Sequence, residues 1–187
     1  VEIVISPDHK VFHHTDPLKG LAEGGTFILQ SNLPVDEVWA ELPKRARKTI
    51  RDRHIKFLVV DAFAVAARHA PTPELQTRMM GIAFIGAVVG HVDRLTQGAD
   101  EDAVLAKVRS QIAKKFGAKG ADIVEGNMAV IAEGRAATRV VDYDDPALVA
   151  LDAQPARIPL RTVQLSAAMC APVVAFMNPG GIRADLT

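Results

Sequence analysis

Two kinds of apolar spacing alternate along the first part of the chain. Val1-Glu2-Ile3-Val4-Ile5 reads as a short strand, followed by a loop carrying Pro7 and Pro17 and a short helix near Leu18. Gly24-Gly25 then forms a turn that permits positive φ, and Thr26-Phe27-Ile28-Leu29 is a second apolar strand. From Glu37 to Asp52, Val38, Leu42, Ala46 and Ile50 recur at helical spacing, with Pro34 near the first turn, where no backbone N–H is needed. Ile55-Lys56-Phe57-Leu58-Val59-Val60 is too continuously apolar to be half exposed, which suits a parallel strand covered on both faces. It ends at Asp61-Ala62, where a helix through Val65, Ala66 and Ala67 begins.

Such strand–helix alternation predicts an α/β fold: a Rossmann-like open parallel sheet flanked by helices. After Ala70 the period becomes helical throughout. Thr72 lies between Pro71 and Pro73 as the N-cap of a helix starting near Glu74. Asp100 to Phe116 carries Val104, Leu105, Val108, Ile112 and Phe116 on one stripe, with acidic residues at its positive end. Gly117 and Gly120 break it, and Asp122 to Thr138 is a further helix, in which Gly126 and Gly134 each cost roughly a kcal/mol against alanine but permit close packing. Past Asp142, Pro146, Pro155, Pro159 and Pro172 interrupt every element, so Ala147 to Ala171 reads as an extended connector. The predicted division is a domain over residues 1–142 and an irregular extended tail over 143–187.

Composition narrows the function classes. With 22 basic and 22 acidic side chains among 187 residues, no long-range field draws the chain to nucleic acid or to an anionic membrane. The basic run Lys44, Arg45, Arg47, Lys48 and Arg51 reads as a solvated helix face or a contact surface. Gly81 to Val92 is apolar over about a dozen residues, short of the roughly twenty that span a bilayer, and reads as a buried helix. No signal-peptide pattern opens the chain, so a cytoplasmic location is expected. One cysteine, Cys170, excludes an internal disulfide and falls short of the four thiolates of an iron–sulfur cluster. His9, His13 and His14 lie close in sequence but lack carboxylate or thiolate partners at metal-binding spacing and read as loop histidines. No Walker loop or strained G-x-S-x-G serine is present, so no catalytic residue and no metal ligand is assigned, and the chain alone reads as catalytically silent.

The order of motifs resembles the gamma domain of 2-oxoacid:ferredoxin oxidoreductases, in particular the pyruvate:ferredoxin and pyruvate:flavodoxin enzymes. One block runs from Leu18-Lys19 through Gly24-Gly25-Thr26-Phe27 and Leu29, Leu42-Pro43, Ile55-Lys56-Phe57, Asp61-Ala62 with Val65-Ala66, and Arg78-Met79-Met80. A second runs from Ile112-Ala113-Lys114-Lys115-Phe116-Gly117-Ala118-Lys119-Gly120 to Val124-Glu125-Gly126-Asn127-Met128-Ala129-Val130. Together they cover about residues 1–139. The family's opening G-x-GGQG turn has no counterpart, so the domain is expected to be N-terminally incomplete.

The resemblance implies a complex in which thiamine diphosphate with Mg2+ attacks the 2-oxoacid, [4Fe-4S] clusters pass electrons to ferredoxin or flavodoxin, and coenzyme A accepts the acyl group. It implies that this chain binds none of these by itself, that its partners are the other domains or subunits, and that its own role is architectural and on the coenzyme A side. The candidate contacts on that reading are Gly24, Gly25, Thr26, Asn32 and Asp61 at strand ends, with Asn127 from the second block. Each has a plainer role: the two glycines serve the turn, and Asp61 caps the helix that follows it. Two other readings stand beside this one. A non-catalytic α/β interaction module accounts equally for the missing cofactor motifs. Asn178-Pro179-Gly180-Gly181-Ile182-Arg183-Ala184-Asp185 resembles a turn of bacterial 5'-nucleotidases, in which glycine N–H groups and an arginine meet an anion, and suggests a nucleotidase-like fragment.

Overall fold

The computed structural model describes residues 1–70, 72–92 and 100–154. Four strands form one sheet in the order β1 (Ile3–Ser6), β2 (Thr26–Gln30), β3 (Lys56–Val60), β4 (Arg139–Val140). The first three are parallel, with Ile5 beside Ile28 and Ile28 beside Leu58. β4 is a two-residue strand antiparallel to β3, so the sheet is mixed, and the expectation of an all-parallel sheet holds for three strands of the four. So short a strand has no alternation to announce it. It is held by the pairing of Leu58 with Val140 and by the Val141 N–H donating to the Phe57 carbonyl at 2.9 Å.

Where one helix was expected over Glu37–Asp52 there are two, α1 (Val35–Glu41) and α2 (Lys44–Asp52). The cause is Pro43: a residue preceding proline is driven out of the helical region, and Leu42 sits at φ −61°, ψ 138°. α3 (Ala62–His69) follows β3, and α4 (Pro73–His91), α5 (Glu101–Phe116) and α6 (Ala121–Ala137) match the predicted helical half. The short helix expected near Leu18 is instead a turn closed by Leu21 N–H on the Leu18 carbonyl, and a 3-10 turn lies earlier, at Val11–His13.

Side chains of β2 and β3 alternate between two cores. Phe27, Leu29, Phe57 and Val59 face α1 and α2, where Val38, Trp39, Leu42, Ala46 and Ile50 close over them. Ile28, Leu58 and Val60 face α3, α4 and α6 through Val65, Ala83, Phe84, Ala87 and Val130. A third cluster, Ile112, Val124 and Ile131, seats α5 on α6. The α4–α6 crossing is close because both helices present glycine. A Cβ on Gly86 would lie 2.1 Å from the Ile131 carbonyl oxygen, and one on Gly134 would lie 2.3 Å from that of Ala83. Gly126 has nothing within 4 Å, so the packing role expected of both α6 glycines belongs to Gly134 alone.

The segment after β4 departs from the extended form expected of it. Pro146–Asp152 is a helix, α7, with the Asp145 carboxylate accepting from Ala147 N–H at 2.8 Å. Pro146 starts this helix, because at a first-turn position its missing N–H removes no bond. Leu148 is buried in the first core, with Tyr143 and Leu151 packed beside it. Two arginines of the basic helix hold α7 down. Arg47, 2% exposed, donates to the Leu151 carbonyl at 2.5 Å and the Gln154 carbonyl at 3.0 Å. Arg51 donates to the Asp152 carboxylate at 2.7 Å and lies beside the stacked Trp39 and Tyr143 rings, 5.3 and 5.5 Å from their centroids. The basic run is therefore only partly a solvated face. The remaining expectations for the tail, with Cys170 and Asn178–Asp185, lie outside the described residues.

Candidate functional site

In an open sheet of parallel strands, strand beginnings share one edge and strand ends the other, and ligands are taken at the carboxyl edge. That rule divides the six candidate residues. Thr26 opens β2 and Gly24 and Gly25 precede it, so these three lie at the amino edge. Asn32 and Asp61 follow the last residues of β2 and β3, at the carboxyl edge. The strand between them keeps the two groups well apart, since β2 alone spans roughly 13 Å from Thr26 to Gln30, four steps of about 3.3 Å. Asn127 stands apart from both, half-buried on α6, where its side-chain amide donates to the carbonyl of Ile123 in its own helix at 2.6 Å. The candidates form no single site.

At the amino edge the glycine pair is explained by backbone geometry. Gly24 has φ +64° and donates its N–H to the Arg53 carbonyl at 2.8 Å. At Gly25 a Cβ would come within 2.8 Å of the Ala22 carbonyl oxygen. A small cleft of about 140 Å3 opens here, lined by Glu2, Ile3, Gly24, Thr26, Lys56 and His91, with Val92 at its wall.

The carboxyl edge is organised by a residue the sequence reading passed over. Gln30, the last residue of β2 and 4% exposed, turns its amide toward the start of α3. Its Oε1 accepts from the N–H groups of Ala62 at 2.8 Å and Phe63 at 3.3 Å, and its Nε2 donates to Asp61 Oδ1 at 3.1 Å. Asp61 Oδ1 accepts in turn from Ala64 N–H at 3.0 Å. The first N–H groups of α3, which a helix start would offer an anion, are thus satisfied within the chain. The signal for Gln30 was there: a polar residue closing a buried strand must find partners. Ser31 Oγ accepts from Leu33 N–H at 3.1 Å, and Arg139 Nη2 donates to the carbonyls of Leu33 at 2.8 Å and Ser31 at 3.4 Å. What this edge turns outward is the exposed Asn32 side chain, the half-buried Asp61 carboxylate and the exposed ring of Phe63.

That set can bind and orient a ligand's polar end. Both neighbouring serine hydroxyls are committed to turns, Ser6 Oγ donating to the Asp8 carbonyl at 2.9 Å, and neither is hydrogen-bonded to a described histidine. Among the described residues no group of three histidine, cysteine, aspartate or glutamate side chains could hold a metal ion, and His9, His13 and His14 are exposed. None of the described residues is a cysteine, so this part of the chain has no thiolate for an iron–sulfur cluster. No helix among them is long and apolar enough to cross a membrane.

A larger cleft, about 480 Å3, lies between α4, α5 and α6, lined by Val89, Leu105, Met128, Ile131 and Arg135 among others. Nearby, Glu133 of α6 accepts from Arg68 Nε at 2.5 Å and pairs with His69 Nε2 at 2.5 Å, tying α6 to α3. The Arg68 bond, and then that of His69, hold the Glu133 carboxyl below its ordinary 4.5.

Comparison with known proteins gives these elements a context. The family described as pyruvate ferredoxin/flavodoxin oxidoreductase matches residues 1–137. A probable pyruvate-flavodoxin oxidoreductase of Escherichia coli (strain K12) is 31% identical over 115 residues, 62% of this chain and 9% of that protein. The pyruvate-flavodoxin oxidoreductase of Trichormus variabilis is 29% identical over 114 residues, 61% of the chain and 9% of the relative. The pyruvate:ferredoxin oxidoreductase of Moorella thermoacetica is 26% identical over 126 residues, 67% of the chain and 10% of the relative. The chain spans about a tenth of the length of these relatives.

Proposed function

The chain belongs to the pyruvate ferredoxin/flavodoxin oxidoreductase family, and from that premise we propose that it serves as a gamma-type domain of a thiamine-diphosphate-dependent 2-oxoacid:ferredoxin or flavodoxin oxidoreductase. The reaction is the oxidative decarboxylation of a 2-oxoacid such as pyruvate to its acyl-CoA, and the chain's part in it is architecture and contact with coenzyme A. The observation that carries this reading is the family match across residues 1–137, which takes in the three parallel strands β1 to β3 and every helix from α1 to α6. The described residues do not fit the redox cofactors: they offer neither thiolates nor a cluster of metal-ligating side chains. Other parts of the assembly would hold thiamine diphosphate and the [4Fe-4S] clusters, and ferredoxin or flavodoxin would meet the complex there.

Within the chain, the coenzyme A contact is assigned to the carboxyl edge, with Asn32 and the Asp61 carboxylate as the polar groups. Gly24, Gly25 and Thr26 shape the other edge, and Asn127 supports its own helix. The test uses the intact oxidoreductase and follows 2-oxoacid-dependent, coenzyme A-dependent reduction of a viologen dye. Asn32→Ala is expected to raise the KM for coenzyme A about fivefold, the worth of roughly one hydrogen bond, with kcat held within about twofold. Asp61→Asn, which keeps an acceptor for Ala64 N–H, is expected to act in the same direction. An unchanged KM in both variants would refute the assigned contact. Failure of the intact protein to reduce the dye with any 2-oxoacid would refute the enzyme reading and leave a non-catalytic interaction module.

A further inference from the structure

β4 brings one residue from late in the chain to the carboxyl edge of the sheet. Arg139 lies opposite Val59, one residue short of the end of β3. Residues directly opposite in a pair of strands point to the same face, and Val59 belongs to the first core, so the Arg139 side chain leaves on the side where β2 runs into α1. There its Nη2, which carries two hydrogens, donates to the Leu33 carbonyl at 2.8 Å and to the Ser31 carbonyl at 3.4 Å. The residue bracketed by those two carbonyls is Asn32.

The backbone around Asn32 is tied on both sides. Ser31 N–H donates to the Val60 carbonyl at 3.1 Å, which continues the β2–β3 ladder by one step, and Ser31 Oγ accepts from Leu33 N–H at 3.1 Å. Leu33 packs against the first core, and Pro34, at φ −55°, leads into α1. By drawing in the carbonyls of residues 31 and 33, one nitrogen of Arg139 holds the peptide before Asn32 and the peptide after Leu33 in one orientation. No carboxylate among the described residues pairs with Arg139, so the contacts it makes here are to backbone alone. Asn32 itself is left exposed.

We propose that Arg139 is a positioning residue for coenzyme A: from β4 it holds the Ser31–Leu33 loop in the form in which Asn32 meets the ligand. The inference rests on the carboxyl-edge assignment made above. It adds to that edge a residue just beyond the matched family region, 108 residues from Ser31 in sequence. A loop side chain that is free to turn has to be ordered when a ligand binds, and the ordering is subtracted from affinity. A loop already held by its neighbours avoids that loss. The effect of Arg139 therefore falls on the KM for coenzyme A and leaves the chemical step alone, because Arg139 touches only the loop that carries the contact.

The experiment uses the intact oxidoreductase and the viologen assay, and compares Asn32→Ala, Arg139→Met, Arg139→Lys and the double variant Asn32→Ala/Arg139→Met. Methionine keeps an unbranched apolar stem in place of the arginine and removes its donors. Arg139→Met is expected to raise the KM for coenzyme A about fivefold, as Asn32→Ala does, with kcat and the KM for the 2-oxoacid within about twofold of the parent. Lysine, whose ammonium can donate to both carbonyls, is expected to bring the KM for coenzyme A back within about twofold. Because Arg139 acts through Asn32, the double variant should stay near fivefold, whereas independent effects would multiply to about 25-fold. If Arg139→Met does not fold, Arg139→Gln, polar but too short to reach both carbonyls, carries the same comparison. A raised KM in Asn32→Ala beside an unchanged KM in Arg139→Met, a multiplied effect in the double variant, or no recovery with lysine overturns the positioning role and leaves the coenzyme A contact standing. A fall in kcat as large as the rise in KM in Arg139→Met overturns it too, since that pattern marks general damage to the fold. An unchanged KM in Asn32→Ala removes the residue through which Arg139 would act, and an unchanged KM in Asp61→Asn besides refutes the edge assignment itself.

Discussion

The α4–α6 crossing makes the sharpest quantitative prediction, because one substitution at two positions of one helix should move stability in opposite directions. Gly134→Ala places a methyl group 2.3 Å from the Ala83 carbonyl oxygen, 2.8 Å from its Cα and 2.9 Å from its carbonyl carbon. Carbon atoms pack at about 3.5 Å or more, so the helices must separate by most of an ångström at their tightest point. All three opposing atoms are backbone, and no side-chain rotation relieves them. Overpacking of this kind costs about 3 kcal/mol, and alanine returns about 1 kcal/mol of helix propensity, leaving a net loss of about 2 kcal/mol. For a chain of this size that is a fall of about 4 to 8 °C in Tm. Gly126→Ala has the propensity gain without the clash, since nothing lies within 4 Å, and should raise stability by about 0.5 to 1 kcal/mol. Urea titration followed by circular dichroism, with the slope checked for constancy, measures both. A Gly134→Ala variant as stable as the parent would refute the close crossing, and a destabilised Gly126→Ala would refute the propensity argument.

Three further perturbations probe the other supports of the fold. Gln30→Leu removes the acceptor for Ala62 and Phe63 N–H and the donor to Asp61, and should cost about 2 kcal/mol in a urea melt; a loss under about 0.5 kcal/mol would mean that α3 is capped in another way. Asp152→Ala takes from the Arg51 guanidinium one of its two carboxylates, leaving Asp144 at 3.1 Å, and removes the acceptor of Trp39 Nε1, so it should cost about 1 to 2 kcal/mol and shift the Trp39 fluorescence, whereas an unchanged spectrum would mean that α7 is not docked on Trp39. The Glu133 carboxyl is depressed in the folded chain by Arg68 and then His69, so its contribution is complete above the ordinary value of 4.5 and is lost as pH falls through the lower folded value. A Tm profile taken from about pH 6 down to about pH 3 should therefore drop less steeply for Glu133→Gln than for the parent, and parallel acid limbs would refute the linkage.

The parts of the fold legible in the sequence are those governed by short-range rules. β3 announced itself by an uninterrupted apolar run, the Gly24-Gly25 turn by its glycines, and α5 and α6 by their period and by the glycines between them. Pro43 carried its information openly as well, since a proline in the middle of a helical pattern ends the helix one residue earlier. What stayed hidden depends on contacts far apart in sequence. Arg47 and Arg51 look like any solvated basic pair until α7 arrives from about a hundred residues away with its terminal carbonyls and Asp152. β4 is too short for a pattern and is defined by its neighbour β3. The candidate residues divide between two edges for a reason the sequence did contain: residues before and after a parallel strand belong to opposite edges, which separates Gly24, Gly25 and Thr26 from Asn32 and Asp61.

The placement of α7 explains why a chain of balanced charge concentrates five cations on one short helix. A guanidinium taken out of water costs several kcal/mol unless its donors are met, and burial pulls the Arg47 pKa below its ordinary value despite Asp152 beside it. The last carbonyls of a helix are the complementary groups, since they carry partial negative charge and have no partner within the helix. Docking α7 therefore gives Arg47 its acceptors: the Leu151 carbonyl, which also accepts from Gln154 N–H at 3.0 Å, and the Gln154 carbonyl just past the helix end. Removing α7 would expose the Trp39 face of the first core and strand the arginine, so residues 143–154 and the α1–α2 layer are expected to unfold together. Lys44 and Lys48 serve differently. Lys44 reaches the Ala153 carbonyl at 3.3 Å and Lys48 pairs with Asp52 within its own helix, both at the exposed surface, where such contacts add little. The basic run thus divides by burial into two docking arginines and a solvated rim, and the arginines are the ones whose loss the fold would feel.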